Sequence, residues 1–194
     1  MKKKLLLHVC CGPCSLYVYK KMAEVAGYDI TCFFYNPNIH ALKEYLFRKN
    51  ELERIAALFQ WNVVYGEYDL NTWFAQVKGH EKDRERGERC SICFKMRLNE
   101  TFAYARQYDF DAVTTTLSIS PYKVTRQINE IGEQLANQYG IPFLSENFKK
   151  QDGYNISKKM AVELGVKQQD YCGCTFSKVE KKLKEILNKK KFSV

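Results

Sequence analysis

Short apolar segments alternate with segments of helical periodicity along the chain, and this order restricts the fold more than any other feature. Residues 4–9, 29–35 and 62–65 are short, apolar and bounded by turn residues, which predicts three strands. Apolar residues recur at helical spacing in the stretch that starts near Pro13 and again over residues 41–59. A strand–helix–strand–helix–strand order predicts parallel strands joined by right-handed crossovers.

The second half of the chain continues this order after one interruption. The interruption is residues 66–89, a polar segment that carries the charged run EKDRERGER. The elements predicted after it are a helix over 91–108, a strand over 112–117, a turn at 118–122, a helix over 127–139 and a fifth strand over 141–144.

The C-terminal part is predicted to form two more helices on either side of Cys172 and Cys174. The last of them, residues 177–190, is expected to bury its apolar residues Val179, Leu183, Ile186 and Leu187. Neither repeats nor low-complexity segments interrupt the chain. We therefore predict one doubly wound α/β domain over residues 1–194 with a mainly parallel sheet, an inserted segment at about 66–95 and a C-terminal helical segment at about 155–190.

Charge and hydropathy limit the surroundings and partners of the chain. Its 194 residues are 45% hydrophobic, and none of its apolar stretches reaches the roughly 18 residues of a membrane span. The start, MKKKLLLHVCCG, has too short an apolar run for a signal peptide and no small-residue cleavage site, so we expect a cytoplasmic protein without a membrane partner.

The formal net charge is +9, and the last twenty residues hold seven Lys against two Glu. This balance suits a polyanion such as nucleic acid, although a solvated lysine-rich helix would have the same composition.

The eight cysteines fall into three groups and one isolated residue. The groups are Cys10, Cys11 and Cys14, then Cys90 and Cys93, then Cys172 and Cys174; Cys32 stands alone in an apolar strand. A disulfide framework is not expected in a reducing compartment. The first group follows the first strand, at the sheet edge where ligands bind in this class of fold.

The second and third cysteine groups can reach the same edge. Cys90 and Cys93 stand at i and i+3 near the start of a predicted helix, so their thiols share one face, and the helix dipole is expected to lower the pKa of both. Seven clustered thiols are too many for one zinc ion, and the spacing favours a four-iron cluster over zinc. The thiols left over would hold another metal or form a redox-active dithiol.

The loop after the first strand also argues against nucleotide hydrolysis. The sequence CCGPCS fits neither a P-loop nor a dinucleotide-binding loop. ATP pyrophosphatases with a similar sheet place a Ser-Gly-Gly-x-Asp-Ser loop at this point, where the chain has thiols.

The stretch TTTLSISPYK, residues 114–123, is a candidate substrate loop. Ser118, Ser120, Tyr122 and Lys123 could bind a substrate or a phosphate, whereas Thr114 and Thr115 are explained equally well as β-branched strand residues. Candidate proton donors are the hydroxyls of Tyr35, Tyr122 and Tyr171, and a candidate tRNA footprint includes Arg126, Lys149 and Lys150.

Four motifs taken together resemble the QueH family of epoxyqueuosine reductases. They are HVCCGPCS (8–15), RCSICFKMRL (89–98), TTTLSISPYK (114–123) and YCGC (171–174), and the resemblance covers nearly the whole chain. It implies the last step of queuosine biosynthesis, the two-electron removal of the epoxide oxygen from epoxyqueuosine at the wobble position of tRNA. It also implies a Rossmann-like sheet of the adenine-nucleotide α-hydrolase type and a 4Fe-4S cluster without cobalamin.

The resemblance assigns roles to individual thiols. The cluster ligands fall on Cys10, Cys11, Cys90 and Cys93. Cys172 and Cys174 match a pair that acts as a redox-active disulfide or binds a second, mononuclear metal, for which iron is one candidate and which Cys14 could join. The implied partners are the anticodon stem-loop of a tRNA and an electron donor that the sequence does not identify.

Three other functions remain open at this point. One is a tRNA thiolation-type enzyme with an iron–sulfur cluster, which would need the ATP loop that is missing here. Another is a ferredoxin-like electron carrier, against which stand the basic charge and the surplus thiols. The third is a non-enzymatic tRNA-binding protein stabilised by zinc or an iron–sulfur cluster.

Overall fold

A parallel sheet of four strands forms the centre of the molecule. The structure, a computed structural model, describes residues 2–25 and 27–191. The strands are β1 (Lys3–His8), β2 (Tyr28–Phe34), β3 (Asn62–Tyr65) and β4 (Ala112–Thr115), in the spatial order β3-β2-β1-β4 and all in parallel. The chain leaves β1 in one direction to make β2 and β3 and then crosses over to make β4, so the doubly wound topology predicted from the sequence is confirmed.

Seven α-helices surround this sheet in the described part of the chain. They are α1 (Gly12–Glu24), α2 (Leu42–Phe59), α3 (Leu70–Gln76), α4 (Glu88–Gln107), α5 (Thr125–Tyr139), α6 (Gly153–Glu163) and α7 (Thr175–Lys191). Two 3₁₀ turns, Thr116–Ile119 and Lys150–Asp152, connect them. None of the described helices is both long enough and apolar enough to cross a membrane.

Side chains of the strands pack on both faces of the sheet because successive residues of a strand point to opposite sides. Leu5 and Leu7 of β1 pack with residues of α1 and α2, whereas Leu6 packs with residues of α4 and α5. All three leucines are fully buried. Burial on both faces explains why the strands are continuous apolar runs instead of alternating ones.

Two of the predicted strands are shorter in the structure. β4 ends at Thr115 instead of residue 117, because the chain turns into the 3₁₀ helix Thr116–Ile119. The predicted fifth strand, 141–144, is reduced to a single bridge between Phe143 and Val113. Pro142 accepts a hydrogen bond from Val113 N (2.9 Å) but has no N–H to donate, so the ladder cannot extend there.

Helix α3 lies within the polar segment 66–89, where the sequence had predicted no element. Asp69 begins the helix, and its side chain accepts a hydrogen bond from Asn71 N at 2.8 Å. Trp73 is fully buried and holds α3 against the molecule. The helix has only seven residues, which is too short for a clear apolar period.

The expectation that α7 buries its apolar residues is wrong. Val179, Leu183, Ile186 and Leu187 are between 52% and 60% exposed. The opposite side of α7 borders a cavity beside the cysteines, which Glu180, Lys181 and the mostly exposed Lys184 help to line.

Candidate active site

The first cysteine group lies where β1 ends and α1 begins. The Sγ atoms of Cys10, Cys11 and Cys14 all lie within 4.8 Å of one another, and that of Cys10 is 3.8 Å from that of Cys11. Cys10 and Cys11 are 7% and 4% exposed. Hydrogen bonds from the thiols of Cys11 and Cys14 lower the pKa of Cys10 against the effect of its burial. The three thiols therefore favour one thiolate, whose charge opposes ionisation of the other two.

Cys90 and Cys93 lie on one face of the first turns of α4. Cys93 is 8% exposed, and the Sγ atom of Cys90 accepts a hydrogen bond from Arg86 N at 3.3 Å. Burial raises the pKa of Cys90 to about 11. This direction is opposite to the one expected for Cys90 from the helix dipole, because burial disfavours the charged thiolate.

Cys172 and Cys174 lie in the loop that leads into α7. Their Sγ atoms are 3.7 Å apart, and that of Cys174 accepts a hydrogen bond from Ser177 N at 3.3 Å. Gly173 between them has φ = 110°, a left-handed conformation that favours glycine. The Cys174 thiol donates to Cys172 and lowers the pKa of the Cys172 thiol despite its burial.

The three groups meet around two cavities that share part of their walls. Cys10, Cys11, Cys14 and Cys172 line a cavity of about 410 Å³. Cys90, Cys93, Cys172 and Cys174 line a smaller one of about 30 Å³. Cys172 lies on both. The thiols that the sequence predicted to share a region do so, with Cys10 and Cys11 on the larger cavity and Cys90 and Cys93 on the smaller. The isolated Cys32 is fully buried in β2, as expected for a small hydrophobic residue.

Cationic side chains surround the thiols. Lys123 lines both cavities, and its pKa is raised by Cys10 and Cys172 although burial acts in the opposite direction. Arg97, also on both cavities, is buried and donates to Asn36 Oδ1 and to the carbonyl oxygen of Cys93, each at 3.3 Å. These charges favour an anionic occupant or ionised thiols at the site.

The candidate substrate loop reaches the larger cavity with three of its four predicted residues. Ser120, Tyr122 and Lys123 line this cavity. Ser118 is 1% exposed and lines neither cavity; its carbonyl oxygen accepts a hydrogen bond from Thr125 Oγ1 at 3.4 Å. The interpretation of Ser118 as a substrate contact is not supported by this position, because the 3₁₀ turn after β4 directs it into the protein.

Of the three tyrosines considered as proton donors, two lie on the larger cavity and one is buried away from it. Tyr122 and Tyr171 line the larger cavity, whereas Tyr35 is buried and stacks on Phe33. Tyr154, which the sequence did not single out, also lines the larger cavity. Burial raises the pKa of Tyr171 to about 12, so its hydroxyl keeps its proton at neutral pH.

Two further residues of the site were missed by sequence reasoning. Glu85 lines both cavities, and its half-buried carboxylate accepts a hydrogen bond from Ser177 Oγ at 3.3 Å. Burial, with the Cys172 thiolate nearby, raises the pKa of Glu85. Arg48 of α2 lines the larger cavity and is only 3% exposed. Neither residue has a sequence signal, since Glu85 lies in a charged run and Arg48 in an amphipathic helix.

The chain matches a known family over most of its length. The model of the family described as "Epoxyqueuosine reductase QueH" matches residues 5–180. The chain belongs to the QueH family. It is 41% identical to Epoxyqueuosine reductase QueH of Haemophilus influenzae over 175 residues, which cover 90% of this chain and 71% of that protein. It is 36% identical to the QueH of Thermotoga maritima over 183 residues, which cover 93% of each chain.

A solved structure outside the QueH family shares the fold. The U34-tRNA thiolase NcsA from Methanococcus maripaludis, solved with its [4Fe-4S] cluster, superposes with a TM-score of 0.58 at 12% identity. The match covers 91% of this chain and 61% of that one. The likeness is one of fold, and it agrees with the parallel α/β sheet predicted from the sequence.

Proposed function

We propose that the chain reduces epoxyqueuosine to queuosine at the wobble position of a tRNA. Its membership of the QueH family supports this reaction, since the relatives at 41% and 36% identity are named epoxyqueuosine reductases. The epoxide oxygen leaves as water while the two carbons form a double bond, which consumes two electrons and two protons. The single observation that carries the proposal is the convergence of seven thiols around two adjoining cavities, of which the larger, lined by four of these thiols, is large enough for a nucleoside.

The donor atoms suit an iron–sulfur cluster. Thiolates are soft ligands, and buried cysteines from separate parts of a chain are the usual ligands of such clusters. Cys10, Cys11, Cys90 and Cys93 would hold a 4Fe-4S cluster where the two cavities meet. When bound, it supplies electrons to the site.

The residues of the larger cavity would bind the modified nucleoside. RNA-modifying enzymes turn the target base out of its stack, and aromatic side chains then stack on it. Tyr122 is 61% exposed at the cavity and is available for stacking, and Ser120 lies beside it, accepting a hydrogen bond from Tyr122 N at 3.3 Å. The Lys123 ammonium would hold a phosphate or the developing negative charge on the departing oxygen.

The thiols that remain after the cluster is assigned would take part in the chemistry. Cys172 and Cys174 are close enough for a disulfide to form with little movement, and such a pair can carry two electrons. The same two thiolates, with Cys14, could instead bind a mononuclear iron beside Cys172, the thiol that lies on both cavities. In either case Cys172 acts beside the substrate.

The partners follow from the reaction. The exposed lysines of α7 and of the rest of the basic chain would bind the phosphates of the anticodon stem-loop. A separate electron donor must restore the reduced state after each turnover. A tRNA-modifying enzyme of this kind would act in the cytoplasm.

The test is turnover by anaerobically purified protein. The substrate is tRNA that carries epoxyqueuosine, with dithionite as the reductant, and the products are measured as nucleosides by mass spectrometry after digestion. We expect queuosine to appear in proportion to enzyme, and iron to be bound at about four or more atoms per chain. A thiolated nucleoside, or no change in the tRNA at full iron content, would contradict the proposal.

A further inference from the structure

The loop that carries Cys172 and Cys174 is attached to the rest of the site through one side chain of α2. Arg48 Nη1 donates to the carbonyl oxygen of Cys172 and Nη2 to that of Tyr171, each at 3.2 Å. Arg48 Nε donates to Glu44 Oε1 at 2.8 Å, and Nη2 lies at the same distance from that oxygen, so the carboxylate also holds the guanidinium. The guanidinium therefore joins α2 to a loop 124 residues further along the chain.

This arrangement has a cost that a surface arginine would not incur. Arg48 is 3% exposed, and a buried charge loses its hydration unless protein groups replace it. Its partners are two backbone carbonyls and a carboxylate, which match the planar fork of the guanidinium. Lysine carries the same charge on a single nitrogen and could not bridge both carbonyls in this geometry.

The residues around Arg48 fix the same loop. His40 N donates to the Gly173 carbonyl at 2.9 Å, and His40 Nδ1 accepts from Thr175 N at 3.2 Å. The Tyr171 hydroxyl donates to the His40 carbonyl at 3.0 Å. A Cβ at Gly173 would lie 2.9 Å from Ile39 Cγ1 and 3.2 Å from Arg48 Nη1, so the loop lies close to Ile39, which precedes α2, and to the Arg48 side chain.

We propose that Arg48 is a positioning residue that holds the Cys172 thiol on the cavity lined by Cys10, Cys11 and Cys14. The loop is neither strand nor helix at Cys172, so its position depends on these contacts. Arg48 acts on the Cys172 thiol through the backbone, by its hydrogen bonds to the carbonyls of Tyr171 and Cys172. The inference rests on the proposed reductase function and adds to it the group that sets the distance between the third cysteine group and the first.

The chain offers a matched control on the same helix. Arg54 of α2 donates from Nη1 to the Leu164 carbonyl and from Nη2 to the Gly165 carbonyl, each at 3.1 Å, and pairs with Glu51. It makes the same kinds of contacts as Arg48 but joins α2 to the end of α6, away from the cysteines. Arg54→Gln therefore removes two hydrogen bonds to backbone carbonyls and one ion pair, at a side chain that is 48% exposed, without affecting the Cys172 loop.

The experiment compares iron-loaded wild type, Arg48→Gln, Arg48→Lys and Arg54→Gln. We expect Arg48→Gln to lower kcat by about 10- to 100-fold, as displacement of a reacting group by about 1 Å does, with KM for tRNA and iron absorbance close to wild type. Alkylation of Cys172 by iodoacetamide, followed by peptide mass spectrometry, should be faster in this variant because the loop is released. Arg48→Lys should fall between Arg48→Gln and wild type, and Arg54→Gln should match wild type.

Two results would overturn the inference. One is equal alkylation of Cys172 in Arg48→Gln and Arg54→Gln, and the other is an unchanged kcat in Arg48→Gln. If Arg48→Gln does not fold, as judged by thermal unfolding, the same two comparisons between Arg48→Lys and Arg54→Gln decide the matter. Failure of the proposed function is distinguishable, because wild type would then produce no queuosine while the alkylation rates could still be compared.

Discussion

Thr116 connects the loop after β4 to the loop after β1 through Cys10. Its Oγ1 accepts a hydrogen bond from Cys10 N at 3.2 Å and lies 3.5 Å from the Sγ of Cys10. Thr116 is fully buried, so no water can replace this acceptor if it is lost. The contact exists only because the 3₁₀ turn Thr116–Ile119 brings the hydroxyl over the end of β1.

We expect Thr116→Val to lower the free energy of unfolding by about 1 to 3 kcal/mol, the cost of leaving a buried N–H without a partner. Valine keeps the shape of threonine, so the change in packing is small. Urea unfolding measures the effect, and Thr116→Ser, which keeps the hydroxyl, should recover most of the loss. Equal stability of Thr116→Val and wild type would show that the Cys10 N–H has another acceptor.

The parts of the fold that sequence could predict are those that depend on local pattern. Strands β1 and β2 and helix α2 are long, apolar or strongly periodic, and their ends lie within about two residues of prediction. The end of β4 was predicted wrongly because β-branched residues are equally suited to a strand and to the turn that follows it. Thr116 was therefore assigned to the strand.

Periodicity also shows which residues share a helix face but not what covers that face. In α7 the apolar face is exposed and the polar face lines the cavity, opposite to the expectation. Arg48 was missed for a related reason: its burial depends on a loop 124 residues away. The grouping of the thiols at the sheet edge was predictable, because parallel strands bring the loops at their carboxyl ends together.

The cluster ligands can be tested by iron content. Cys10→Ser, Cys11→Ser, Cys90→Ser and Cys93→Ser should each lose most of the brown absorbance and all activity, since a hydroxyl is a poor ligand for iron in a cluster. Cys32→Ser is the matched control, because Cys32 lies in β2 outside both cavities and should keep its iron. Full iron in Cys90→Ser would exclude Cys90 from the ligand set.

The third cysteine group should separate iron binding from turnover. We expect Cys172→Ser and Cys174→Ser to keep the cluster absorbance but to lose epoxyqueuosine reduction. Thiol titration of the wild type after mild oxidation should show two thiols fewer if the pair forms a disulfide. An iron count that falls by one atom in both variants would instead favour the mononuclear metal, and normal turnover in both would make the group structural.

Binding of tRNA should depend on salt through the lysines of α7. Lys182 and Lys184 are exposed, and each phosphate contact contributes about 0.7 to 0.9 to the slope of log K against log salt. The double variant Lys182→Gln/Lys184→Gln should therefore bind more weakly and with a flatter slope. Lys20→Gln/Lys95→Gln, on α1 and α4, is the charge-matched control. Identical slopes for the two double variants would argue against α7 as part of the tRNA-binding surface.

Glu85 should supply a proton to the departing epoxide oxygen. Its carboxyl faces both cavities, and burial raises its pKa, so the protonated form persists to higher pH than for an exposed glutamate. A group that acts as an acid works below its pKa, and the rate should therefore fall as pH rises through that pKa. Glu85→Gln cannot donate a proton from a carboxyl group and should lower kcat by about 100-fold, within the range for loss of a general acid, while removing this pH dependence.

Glu81→Gln, an exposed neighbour on the same segment, should behave as wild type. The decisive measurement is the pH profile of kcat for the three proteins: if Glu85→Gln keeps the wild-type fall at high pH, another group, such as the Tyr171 hydroxyl, donates the proton.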